Sequence, residues 1–303
     1  MSVSADRLLA LLKTAAYAEV FSAPLESWQL RYALSNRPVE VSQLLTLWHQ
    51  VRQDSSWLTA LPHQRRSTQV SAEVYRDKWQ AVQQAVWYLR WIPWIESIWV
   101  TGGLAMGNVR EEDDIDFMFI TQPGCLWTTR AAVSVLGMVL GKLRRRHHTA
   151  SQLKNRWCCN VWLDATALHL PENQQNLYTA RETVQARPVY QVHHGAAEKW
   201  LQQNQWVQAY TYPGFRTAQL RAARLMAKPP LITYLPVWST KMKWLGQLLN
   251  PWLRQLQWRR MQGISHDEKV STHAAFFHPT RRSPQILREY ERILSVLRKK
   301  YHA

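Results

Sequence analysis

Two short features of this chain could do chemistry together. One is the pair Gly102-Gly103, which follows the apolar run "IESIWV". The other is Asp114-Ile115-Asp116, which opens the run "DIDFMFIT". Side chains alternate along a strand, so Asp114 and Asp116 share a face and Ile115 takes the other. Two carboxylates one strand step apart repel each other, and a cation between them relieves the repulsion. Mg²⁺ (or Mn²⁺) suits this role, as a hard ion held by one or two carboxylates and completed by substrate phosphates. Glycines without side chains let a phosphate approach the backbone N–H groups that open a helix. The pair therefore predicts a site for a metal-bound nucleotide. Asp116 sits inside an apolar strand, where an unpaired carboxylate is costly. Glu111, Glu112 and Asp113 read instead as a solvated turn.

A third polar position is expected on the run "WCCNVWLD". Alternation puts Asn160, Trp162 and Asp164 on one face, so Asn160 or Asp164 is the candidate to complete the site. Asparagine offers a neutral oxygen but accepts no proton. Lys154 and Arg156, just before this run, are candidates to hold a triphosphate, and Arg110 reads as ordinary surface charge. The cluster "KLRRRHH" from Lys142 to His148 reads as helix-end compensation and a solvated loop. Cys158 and Cys159 are adjacent, so on a strand they point to opposite faces and cannot easily share a zinc ion with His147 and His148.

These residues need elements to position them. Residues 5–20 carry apolar positions at helical spacing, Leu25 to Leu34 reads as a second helix, and "NRPVEVSQLLTLWHQV" gives a third. "SSWLTALPHQ" reads as a short strand or hairpin. That outline is winged-helix-like. A long helix over 70–92 leads to the strand "ESIWVTGG", a short helix at "LAMGN", the strand "DIDFMFITQ", a helix from Leu126 through the basic cluster, and the strand "RWCCNVWLDA". From 172 onward the pattern is mostly helical, with breaks at Arg187-Pro188, Tyr212-Pro213-Gly214, Pro229-Pro230, Asn250-Pro251 and His278-Pro279.

The glycine pair, ten intervening residues and the acid–apolar–acid triplet resemble the signature of the nucleotidyltransferase superfamily, the fold of DNA polymerase beta and the minimal nucleotidyltransferases. The order of elements, with "NLYTARETVQARPVY" and "HAAFFHP", also looks like a bacterial family of nucleotidyltransferase-domain proteins with a winged-helix-like N-terminus. The resemblance implies an α+β fold: a small mixed sheet flanked by a winged-helix-like domain (1–69) and a helical C-terminal region (191–303), with the catalytic module at 70–190. It implies Mg²⁺-dependent transfer of a nucleoside monophosphate from an NTP to a hydroxyl-type acceptor, with Asp114 and Asp116 on the metal and Gly102 and Gly103 at the phosphates. It also implies a third carboxylate on the later strand, where this chain offers Asn160 or Asp164. A chain without that acid reads alternatively as a degenerate module that binds nucleotide, nucleic acid, membrane or a protein partner.

Composition bounds the rest. The chain has 303 residues, 46% of them apolar, enough for sizeable cores and against global disorder. No run reaches a membrane-spanning length, and "MSVSADRLLALLKTAAYAEVF" reads as an amphipathic helix rather than a signal peptide. The three cysteines form no disulfide framework, so a reducing cytoplasm, with peripheral membrane contact as an option, is the expected location. Thirty-eight basic against 21 acidic residues give a net charge of +17, which favours an anionic partner. The excess lies C-terminally, and no acid occurs between Glu198 and Asp267. A nucleic acid or an anionic membrane is the expected partner of residues 199–266, although the region also reads as a helical pair packed on the module through Trp244, Leu245, Leu248 and Leu249. Residues 1–62 carry no net charge, which favours a protein-docking role for residues 1–69 over DNA binding.

Overall fold

β-Branched and aromatic side chains build the centre of the molecule. In the computed structural model, which describes residues 2–23, 25–53, 61, 71–145, 147–192, 195–227, 242–262, 269–277 and 282–301, six strands form one mixed sheet. They are β1 (Ile95–Val100), β2 (Ile115–Thr121), β3 (Trp157–Asp164), β4 (Arg187–Gln191), β5 (Lys269–Val270) and β6 (Ala274–Phe276). The order is β4-β1-β2-β3-β6-β5, with β2 and β3 parallel and every other pair antiparallel.

Alternation along β2 sorts its side chains between two cores. Ile115, Phe117 and Phe119 join Val82, Val86 and Leu89 of α3 (Ala72–Leu89) and Leu126, Trp127 and Val133 of α5 (Leu126–Val139). Met118 and Ile120 point the other way, towards α6 (Leu177–Gln185), α7 (Ala196–Gln203) and α8 (Gln208–Ala227). Asp116, the only residue of β2 that is not fully buried, lies on that second face, near the strand's start. A short helix, α4 (Gly102–Met106), joins β1 to the loop before β2. A third core joins α1 (Ser2–Val20), the 3-10 helix Ser27–Tyr32 and α2 (Val41–Gln53) to α10 (Arg282–Tyr301). Leu11, Leu12, Leu30, Leu44 and Trp48 meet Ile286, Tyr290, Ile293, Leu294 and Leu297 there.

Several expectations change. The expected helix over Leu25–Leu34 is a six-residue 3-10 helix, Ser27–Tyr32. The helix after Cys125 stops at Val139, before the basic cluster. The region after 172 is not only helical: "RPVYQ" and "AAF" are strands. Pro188 fits because β4 is the outer strand beside β1, where a residue without N–H costs little. The expected hairpin at 55–64 lies, except for Leu61, outside the described residues. So do His278 and Pro279 of "HAAFFHP". Phe276 and Phe277 pack against different cores rather than forming one plug. The stretch 191–303 thus serves three parts of the molecule: strands β5 and β6, helix α10 on α1, and α9 (Lys243–Gln262) on α5.

The packing of α9 also corrects an expectation. Its inner face is Leu245, Gly246, Asn250, Leu253 and Gln257. Asn250 Oδ1 accepts from the backbone N–H of Trp127 at 2.8 Å. Gly246 lies so close to Trp94 that an added Cβ would come within 2.3 Å of its ring nitrogen. Trp244, Leu248 and Leu249, expected on the buried face with Leu245, are exposed. Among the described residues, no helix is long and apolar enough to cross a membrane.

Candidate functional site

The site begins where β1 ends. Thr101 donates its N–H to the carbonyl of Asp116 at 3.0 Å, so the glycine pair is delivered beside the second acid. Gly102 has φ +62°, a conformation that L side chains rarely adopt. A Cβ there would lie 2.1 Å from Asp116 Oδ2. The position therefore takes glycine on two counts, and the carboxylate rests directly on bare backbone. Gly103 is confined by the carbonyl of Asn108, 2.5 Å from where its Cβ would stand.

Asp114 and Asp116 meet as alternation requires. One carboxylate oxygen of each and Cys158 Sγ all lie within 4.8 Å of one another. Cys158 comes from β3, paired directly with Asp116. A bulge follows: Phe117 pairs with Cys159 but Met118 pairs with Val161, which leaves Asn160 as the extra residue. Asn160 Nδ2 donates to Asp116 Oδ1, and Cys158 Sγ donates to Asn160 Oδ1 at 2.7 Å.

The bulge overturns the expectation that Asn160, Trp162 and Asp164 share a face. Past it, Trp162 stacks on Phe119 with ring centroids 4.3 Å apart, in the α3–α5 core. Asp164 pairs with Thr121, five residues along β2 from Asp116 and so roughly 16 Å away. Its buried carboxylate accepts from Gly124 N–H at 2.6 Å and from the N–H and hydroxyl of Thr166 at 2.9 and 2.6 Å. Asp164 closes the turn after the strand, and Asn160 is the residue brought to the acids.

The expected phosphate cations lie elsewhere. Lys154 is an exposed partner of Glu111 at 2.6 Å. Arg156 donates to the carbonyls of Gln152 and Gly141, both at 2.6 Å, and ties the loop together. The cation at the acids is Arg144, from the cluster read as solvated. Its guanidinium donates to Asp114 Oδ2 at 2.6 Å and to Cys158 Sγ at 3.1 Å. Leu143 bridges in parallel to Trp157, which lays 142–144 along the start of β3 and aims Arg144 at the site. A second missed residue is Lys78 of α3. Its buried ammonium donates to the carbonyls of Glu111, at 2.8 Å, and Asp113, and so clasps the loop that presents Asp114. Lys78 is a lysine among apolar helix positions, but nothing in the spacing of α3 points it at the loop of Glu111 and Asp113.

Burial, and then the charge of Asp114, push the Asp116 carboxyl up from 3.8 to about 6; the Asn160 and Cys158 hydrogen bonds and Arg144 act against this. Burial also pushes the Cys158 thiol up, followed by the charges of Asp116 and Asp114, so it stays protonated. Burial lowers Lys78, against the pull of Asp113.

The donor set fits a hard divalent cation. Two carboxylates converge, one with its protonation poised near neutrality, while the protonated thiol is spent on Asn160 and is a poor match for such an ion. Arg144 is the competitor at Asp114. Comparison with family models, with curated proteins and with solved structures returns no match to this chain.

Proposed function

We propose that this protein is a nucleotidyltransferase that moves a nucleoside monophosphate from an NTP to a hydroxyl-type acceptor, with the sheet as a nucleotidyltransferase-type module and 1–69 as its winged-helix-like flank. The observation that carries the reading is the convergence of Asp114 and Asp116 on a carboxylate site floored by Gly102. Asp114 and Asp116 would hold Mg²⁺ or Mn²⁺, which when bound supplies charge neutralisation and polarisation at the phosphates. Gly102 and Gly103 let the Asp116 carboxylate and the Asn108 carbonyl lie against bare backbone, which fills the space their missing side chains leave. Asn160 keeps the Asp116 carboxylate in one orientation through its amide. The acceptor oxygen bonds to the α-phosphorus as the bond to pyrophosphate breaks, and the hydroxyl proton leaves to solvent, because Asn160 cannot take it.

A second reading is favoured by one specific observation. Arg144 is already paired with Asp114, and Asn160 with Asp116, so the acids are partly satisfied from within the chain. On that reading the module binds a nucleotide without transferring it. Calorimetric titration of each NTP with and without Mg²⁺, on wild type, Asp114→Asn and Asp116→Asn, tests both. Metal-dependent binding, lost at least about tenfold in either variant, is expected. A double variant that binds the metal–NTP complex as well as wild type would sink the site. Binding without turnover over a panel of hydroxyl acceptors would favour the second reading.

A further inference from the structure

An amphipathic surface helix normally turns its apolar side inward and its polar side to water. α9 does something else, because it is apolar on both sides. The Asn250 and Gln257 side chains bond to the backbone of Trp127, and the Gly246 carbonyl accepts from the Thr128 hydroxyl, which fixes the inner side on α5. The outer side carries Trp244, Leu248, Trp252 and Leu256, spaced four residues apart. They are 65%, 59%, 77% and 49% exposed. The turn before β1 touches the start of α9, where Trp94 Nε1 donates to the Met242 carbonyl at 2.9 Å. Trp87 of α3 and Trp91, in the turn that follows that helix, are exposed too, with Arg90 stacked on both.

Charge selects the occupant. α9 carries four basic residues and no acid, and Arg259 and Arg260 are exposed at its end. It lies within the stretch from Lys199 to His266 that contains no acid at all. A second copy of this chain would bring the same cations face to face, with +17 on each molecule. A nucleic acid could stack bases on tryptophan, but leucines in the same row give nothing to stack on. Tryptophan and leucine side by side, flanked by arginine, match the boundary between anionic headgroups and acyl chains.

We propose that the outer face of α9 docks the protein onto an anionic lipid bilayer, with Trp244, Leu248, Trp252 and Leu256 entering the interface and Arg259 and Arg260 meeting lipid phosphates. The docking stands apart from the nucleotide reading and does not need it.

Flotation with unilamellar vesicles tests it, using phosphatidylcholine alone and phosphatidylcholine with about one-third phosphatidylglycerol. Wild type floats with the anionic vesicles, and its tryptophan fluorescence is quenched by brominated acyl chains. Trp244→Ala/Trp252→Ala loses vesicle affinity by at least about tenfold. Arg259→Gln/Arg260→Gln loses the preference for anionic lipid, and about 0.5 M salt reproduces that loss in wild type. All four positions are exposed, so circular dichroism of both variants matches wild type. The proposal is overturned if wild type leaves anionic vesicles unbound at low salt, or if the tryptophan variant binds them equally. It is also overturned if that variant loses single-stranded oligonucleotide binding or a concentration-dependent dimer while vesicles go unbound throughout.

Discussion

Asp116 is held at a cost. Its folded-state carboxyl titrates near 6 against an ordinary 3.8, so the folded protein holds that proton more tightly than the unfolded chain does. The stability this contributes is complete below about pH 4 and lost as pH rises through about 6. Metal-free protein should therefore lose stability between about pH 4 and 6, by on the order of 1–3 kcal/mol from this group alone, and change little above that. Asp116→Asn should flatten that fall, and Mg²⁺ or Mn²⁺ should restore wild-type stability at pH 7.5 but not the variant's. Thermal melts in chelator and in added metal, across that range, measure both. An Asp116→Asn protein that melts lower than wild type at pH 7.5 without metal would contradict the strain.

The elements around the acids explain what a reader of the sequence could and could not see. Asp114 and Asp116 were legible because a two-residue step on a strand is a local rule; Gly102 reads from sequence as a place for phosphate approach, whereas the space its missing side chain leaves is taken by Asp116. Arg144, Lys78 and Cys158 were not legible, since each reaches the site through a pairing between distant segments: the Leu143–Trp157 bridge, α3 behind the acid loop, and β3 beside β2. One inserted residue at Asn160 reversed the faces of Trp162 and Asp164, and no periodicity announces a bulge. α9 failed for another reason. Its apolar residues ring the helix, so the inward side was chosen by Gly246 and Asn250 and not by hydrophobicity.

Lys78 carries this element-level argument into a prediction. Lys78→Met leaves two loop carbonyls without their donor and should cost about 2–4 kcal/mol by chemical denaturation. It should also weaken metal binding with both acids intact, because the loop that presents Asp114 loses its clasp. Lys154→Ala, at an exposed pair on the same loop, should change neither measurably.

At the scale of the molecule, three cores are tied together by the sheet and by long-range helix pairing. Five residues of α10 are buried among the apolar faces of α1 and α2. Removing residues 282–301 should uncover those faces and abolish cooperative unfolding of the N-terminal helices. Hydrogen exchange should then show protection lost over 8–20 and 41–53 while the amides of β1, β2 and β3 keep theirs. Retained protection of α1 in the truncated protein would mean that its core closes without α10.

The partnership of α1 with α10 also has a temporal side. Translation delivers α1 early and α10 only after the whole sheet has emerged. At about 5–20 residues per second, α1 waits for roughly ten to fifty seconds with Leu11, Leu12 and Tyr17 uncovered on the ribosome. During that interval the segment is a ready client for a chaperone that grips apolar helices. The speed of elongation through the middle of the message then becomes a determinant of how much protein matures.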